Sequence, residues 1–92
     1  MPDRSNTITG VVRDPRGRPV SQARVYFIAG PVALPDIAAL TNDQGEFSLS
    51  APADGNYEVE CAADGFSLAS TKVMIKSSQE TTLQIKLEPK SS

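Results

Sequence analysis

Apolar side chains in this chain recur at every second position, and that period of two sets what the chain can fold into. In Tyr57-Glu58-Val59-Glu60-Cys61-Ala62-Ala63 the residues Tyr57, Val59, Cys61 and Ala63 alternate with Glu58 and Glu60. Successive side chains of a β-strand point to opposite faces, so this run makes a strand with one dry and one wet side. The alternation returns in residues 6–13, where Ile8, Gly10 and Val12 share a face, and in residues 23–28, where Ala23, Val25 and Phe27 oppose Arg24, Tyr26 and Ile28. It returns again with Phe47 and Leu49, and with Leu83, Ile85 and Leu87 against Thr82, Gln84, Lys86 and Glu88, while Lys72-Val73-Met74-Ile75-Lys76 is a further short run between them. No window carries the 3.6-residue period of an amphipathic helix. The strands follow one another at intervals of roughly 8 to 15 residues, which predicts an antiparallel sandwich or barrel.

The connections have turn chemistry. Asp14-Pro15-Arg16-Gly17 places proline and glycine at the second and fourth positions of a type I turn begun by Asp14. Thr41-Asn42-Asp43-Gln44-Gly45, Ala53-Asp54-Gly55-Asn56 and Asp64-Gly65 read as further turns. Residues 30–40 break the pattern: they are apolar but interrupted by Pro31 and Pro35, which suits neither a long helix nor an interior strand. The single domain is expected over residues 6–88, between tails at 1–5 and 89–92.

At 92 residues one core must use almost every apolar side chain, and little is left over for a deep active-site cavity. The chain has no histidine, the commonest general base and metal ligand, and no tryptophan. A net charge of −2 without a basic cluster disfavours nucleic acid and anionic membranes. The single cysteine, Cys61, cannot form an internal disulfide. No signal-like segment and no apolar run of membrane-spanning length occurs, so a cytoplasmic location is the default expectation unless the domain is cut from an exported protein.

The order of these signals resembles carboxypeptidase regulatory-like domains. The string from Ile8 to Val25 follows that family's G-x-V-x-D-x-x-G-x-P-V-x-x-A-x-V, with Gly10, Val12, Asp14, Gly17, Pro19, Val20, Ala23 and Val25 at its fixed positions. Thr41 to Leu49 looks like T-x-x-x-G-x-F-x-L, Gly55 to Val59 like G-x-Y-x-V, and Ala63 to Phe66 like A-x-G-[FY]. The resemblance implies a transthyretin-like, seven-stranded antiparallel Greek-key β-sandwich. It implies no catalytic residue, because the matched positions are turn glycines and core side chains. Relatives of transthyretin that hydrolyse hydroxyisourate use histidines and a C-terminal Tyr-Arg-Gly-Ser, and this chain carries neither. Its departure from the family lies in residues 30–40, a link that is generally more polar.

Several residues have a structural and a functional reading. Asp14, Asn42, Asp43, Asp54 and Asp64 could offer oxygens to calcium, but their places in turns predict bonds to backbone amides, and no loop has EF-hand spacing. Glu58 and Glu60 are expected on a wet face opposed by Lys72, Lys76 or Lys86 rather than as a catalytic pair. Cys61 falls on the dry phase and is expected as a small buried hydrophobe. Arg13, Arg16, Arg18 and Arg24 concentrate positive charge near the first turn and could take an acidic ligand. Val32, Leu34, Ile37 and Leu40 either cover a sheet edge or form a patch that docks a partner. No catalytic, cofactor or metal site is expected. The leading expectation is a non-catalytic module that binds another protein or domain within a larger assembly. A carbohydrate- or small-ligand-binding domain is the alternative, with Tyr26 as its outward-facing aromatic.

Overall fold

A computed structural model describes residues 6–31, 38–51, 53–76 and 81–90. It contains seven strands: β1 (Asn6–Arg13), β2 (Arg24–Ala29), β3 (Ala39–Leu40), β4 (Glu46–Ala51), β5 (Gly55–Ala62), β6 (Ala69–Ile75) and β7 (Thr81–Lys86). They form a β4-β1-β7 sheet and a β3-β2-β5-β6 sheet. The chain passes between sheets after β1, β3, β4 and β6, and stays in one sheet through β2–β3 and β5–β6. Four ladders are antiparallel, as alternation with short turns predicts. The fifth, β1–β7, is parallel, which is open to these two strands because nearly the whole chain serves as their crossover.

The dry faces meet between the sheets. Ile8 and Val12 of β1, Phe47 and Leu49 of β4, and Ile85 and Leu87 at β7 pack toward Val25, Tyr57, Val59, Cys61 and Ile75. The phases read from the sequence therefore hold strand by strand. Gly10 keeps the β1 phase for a steric reason: a Cβ there would lie 2.5 Å from the Leu83 carbonyl oxygen and 2.6 Å from the Phe47 ring. The Phe47 side chain occupies the space that any other residue would fill. Tyr57, 2% exposed, packs against Phe27 at a centroid separation of 4.8 Å. Its hydroxyl donates to the Ala53 carbonyl at 2.6 Å and accepts from the Ala53 amide at 3.1 Å.

Three boundaries differ from the sequence expectation. Gly55 and Asn56 belong to β5, because pairing with Ile75 and Met74 extends that strand into the expected turn. Residues 39–40 form a short edge strand held by Arg24 and Val25. A bulge between Phe27 and Ala29 inserts Ile28 into β2.

Two five-residue loops share one hydrogen-bond pattern. The Asp14 amide donates to the Arg18 carbonyl, the Gly17 amide donates to the Asp14 carbonyl, and the Asp14 Oδ1 accepts from the Arg16 and Arg18 amides. Asn42 makes the same four bonds with Gln44, Gly45 and Glu46. The fourth residue of each has a positive φ, +83° at Gly17 and +75° at Gly45, which explains glycine there. Asp14 and Asn42 are thus engaged with backbone amides.

Among the described residues Thr41 is the enclosed polar one, 4% exposed. Its Oγ1 accepts from the Ala23 amide at 2.9 Å and donates to the Val20 carbonyl at 2.6 Å. Its backbone exchanges bonds with Ala23 and Gln22. Thr41→Val keeps the shape but strands a buried amide and carbonyl, and should lower unfolding free energy by about 2 to 3 kcal/mol, whereas Thr41→Ser should cost about 1. Chemical denaturation of both variants checks this; equal losses would mean the hydroxyl contributes nothing.

Candidate interaction surface

The outer face of the four-stranded sheet can be read row by row from the ladders. Leu40, Arg24 and Ala62 form one row, and Tyr26, Glu60 and Ser70 the next. Ala29, Glu58 and Lys72 follow, and then Asn56 and Met74. Of the four residues singled out as a docking patch, Val32, Leu34 and Ile37 lie outside the described residues. Leu40 is 64% exposed at the edge of the sheet. It also lines an open groove with Thr9, Val11 and Ser48, which reaches the outer face of the other sheet.

Two further exposed apolar residues stand at the opposite end of this face. Met74 is 57% exposed, and Ile28 is 44% exposed where the bulge sets it and Ala29 against Glu58. Both fall on the wet phase of their strands, and that was the legible signal: an apolar residue where alternation asks for a polar one. A shallow groove beside Met74 is lined by Ala29, Asn56, Glu58, Lys72 and Met74 itself.

The charged candidates separate. Glu58 faces Lys72 across the β5–β6 ladder, as expected. Lys86 does not oppose either glutamate: it lies on β7 in the other sheet, with its Nζ 3.8 Å from Glu88. Glu60 instead neighbours Tyr26, and burial together with this carboxylate raises the phenol's pKa. Tyr26 is half-buried rather than an open stacking platform. The four arginines do not make one site. Arg13, Arg16 and Arg18 surround the first loop, while Arg24 sits on β2 in the other sheet. Arg18 is already engaged, its Nε 3.4 Å from Asp14 Oδ2. Asp43, Asp54 and Asp64 lie in turns or bends, and among the described residues no group of three His, Cys, Asp or Glu side chains gathers to hold a metal.

Cys61 is fully buried, and its surroundings push the thiol up to about 11, with Arg24 pulling weakly the other way. At neutral pH it is a thiol inside the core, not a nucleophile.

A model of the carboxypeptidase regulatory-like domain matches residues 7–88. No curated protein matches the chain as a relative. Among solved structures, the fold is similar to GBS52, the minor pilin of Streptococcus agalactiae, at TM-score 0.72 and 14% identity, covering 96% of this chain and 46% of that one. It is similar to a chain of the type II cohesin–X-dockerin complex from Acetivibrio cellulolyticus at TM-score 0.72 and 14% identity, covering 91% and 58%. It is also similar to chlorocatechol 1,2-dioxygenase from Pseudomonas putida at TM-score 0.62 and 14% identity, covering 95% and 62%. The chain thus spans less than two thirds of each of these proteins. At such identities the likeness is one of fold, and the fold occurs in enzymes and non-enzymes alike.

Two measurements follow. Hydrogen bonds from Arg18 and Arg16 amides and the Arg18 charge lower the Asp14 pKa, so ionised Asp14 stabilises the fold above its ordinary value of 3.8, and that contribution is lost as pH falls through the lowered value. The stability gap between the wild type and Asp14→Asn should therefore be widest above about pH 5 and close toward pH 2; a gap independent of pH would show that the charge is irrelevant. Alkylation of Cys61 should occur only through opening of the core, and should accelerate with denaturant in step with global unfolding. Fast labelling of native protein would contradict the buried thiol.

Proposed function

The chain belongs to the carboxypeptidase regulatory-like domain family, and from that premise we propose that it is a non-catalytic accessory module that engages another protein or domain of a larger assembly. The observation that carries this reading is Leu40. A leucine 64% exposed on a two-residue edge strand contributes little to the core, and it continues directly from the apolar segment 30–38, which also holds Val32, Leu34 and Ile37. Catalysis finds no support in the same surface: its carboxylates face a lysine, a tyrosine and a serine across the ladders, its grooves are open, and the chain supplies no histidine. The pilin and cohesin–dockerin likenesses agree with this reading as examples of the same fold used in assembled proteins.

Site-directed photocrosslinking in the native cellular setting tests it. A photoreactive phenylalanine at position 40 should give discrete protein adducts, and the same probe at Ser50, on the outer face of the other sheet, should give none. The adduct should vanish when Leu34 and Ile37 are changed to serine, with Tm within a few degrees of the wild type. No adduct at 40, or equal adducts at 40 and 50, would refute docking there. A loss of several kcal/mol in the double variant would show that the segment covers a sheet edge instead.

A further inference from the structure

The parallel β1–β7 ladder has a consequence for force. Because the two strands run in the same direction, polypeptide joined before β1 leaves from one end of the ladder and polypeptide joined after β7 leaves from the other. Tension through the two then slides the strands past each other. In an antiparallel pair of terminal strands both connections would leave from the same end, and tension would open the hydrogen bonds one rung at a time. In the parallel arrangement the evenly spaced bonds are loaded together.

The β1–β7 ladder equals the β1–β4 ladder in length. It runs through six register positions, from Ile8 opposite Thr81 to Arg13 opposite Lys86, and the Leu87 amide donates to the Arg13 carbonyl at 2.8 Å beyond its end. On its other side β1 pairs with β4 over six positions, from Asn6 opposite Ala51 to Val11 opposite Glu46, so β1 cannot slide without breaking a second ladder. The segment after β7 is tied as well: the Ser67 amide donates to the Glu88 carbonyl at 2.8 Å, and the Lys90 amide to the Gly65 carbonyl at 3.0 Å. The Gly10 contact adds a close fit at the same place, with the Leu83 carbonyl against β1 and Phe47 filling the space below.

We propose that the parallel β1–β7 ladder is a shear clamp, and that this domain is a load-bearing link that keeps its fold under tension applied through the chain before β1 and after β7. The use of such a link in an assembly rests on the accessory reading above, but the clamp itself is a property of the isolated domain.

Single-molecule stretching of tandem copies of the 92-residue chain tests it. The comparison is a Cys61→Ala chain carrying Asn56→Cys and Met74→Cys as attachment points. These positions lie opposite each other on β5 and β6, so pulling there opens that ladder rung by rung. At one loading rate the end-to-end unfolding force should exceed the β5–β6 opening force about twofold or more, since forced unfolding reads the barrier along the pulling direction. Val11→Pro identifies the ladder. The Val12 amide donates toward the β4 side, to Gly45, so by strand alternation the Val11 amide faces β7 and proline removes it. For equal loss of thermal stability it should lower the end-to-end force more than Val73→Ala on β6 does. An end-to-end force no higher than the β5–β6 opening force overturns the proposal even where Val11→Pro fails to fold, and so does an equal effect of the two substitutions. Neither result depends on crosslinking at position 40, so the clamp and the docking surface stand or fall separately.

Discussion

Strands that alternate between two sheets are held together by whatever fastens the crossings, and in this domain Thr41 fastens two of them at once. The link from β1 to β2 and the link from β3 to β4 both cross the sandwich, and they meet where the Thr41 hydroxyl sits between the Ala23 amide and the Val20 carbonyl. Both of those backbone groups belong to buried residues, Ala23 and Val20. Without a side-chain partner they would carry a desolvation cost comparable to a large share of the stability of a domain this size. A hydroxyl on a β-branched residue solves this compactly, because it donates and accepts from one atom. The threonine at the head of the T-x-x-x-G-x-F motif is therefore an organising residue of the sandwich, and the Asn42 loop that follows it is set in place by the same contact.

Much of the fold was legible because its information is local. Ile8, Val12, Phe47, Leu49, Tyr57, Val59 and Ile85 declare their faces by alternation alone, and Asp14 and Asn42 declare their turns by side-chain chemistry that needs no partner beyond four residues. What the sequence could not show depends on neighbours distant in the chain. The parallel sense of β1–β7 follows from how the crossovers fold, not from either strand's composition. The bulge at Ile28 arises from register against Glu58, and β3 is a strand only because Arg24 and Val25 are there to pair with it. The misplacement of Lys86 beside the glutamates has the same origin, since alternation predicts a residue's face and not its sheet.

The candidate surface was legible in a weaker way. Leu40 stood out because residues 30–40 are apolar where the family link is generally polar, and the structure places it in the open. Ile28 and Met74 carried a quieter signal, each an apolar residue on the wet phase of an otherwise amphipathic strand. The arginines are close in sequence without being close in space. Asp14 and Arg18 are neighbours that satisfy each other, and Arg24 belongs to another layer.

The brevity of β3 has a bearing on how such a domain can diversify. Two register positions attach it to β2, and the connection that leads into it leaves β2 beyond the last paired residue of the core ladder. Lengthening or rewriting that connection would raise loop-closure entropy only logarithmically and would disturb neither Thr41 nor the central ladders. The sandwich can thus act as a fixed frame around one replaceable cassette, so that relatives sharing every turn glycine and core phase can differ wholly in what the cassette presents.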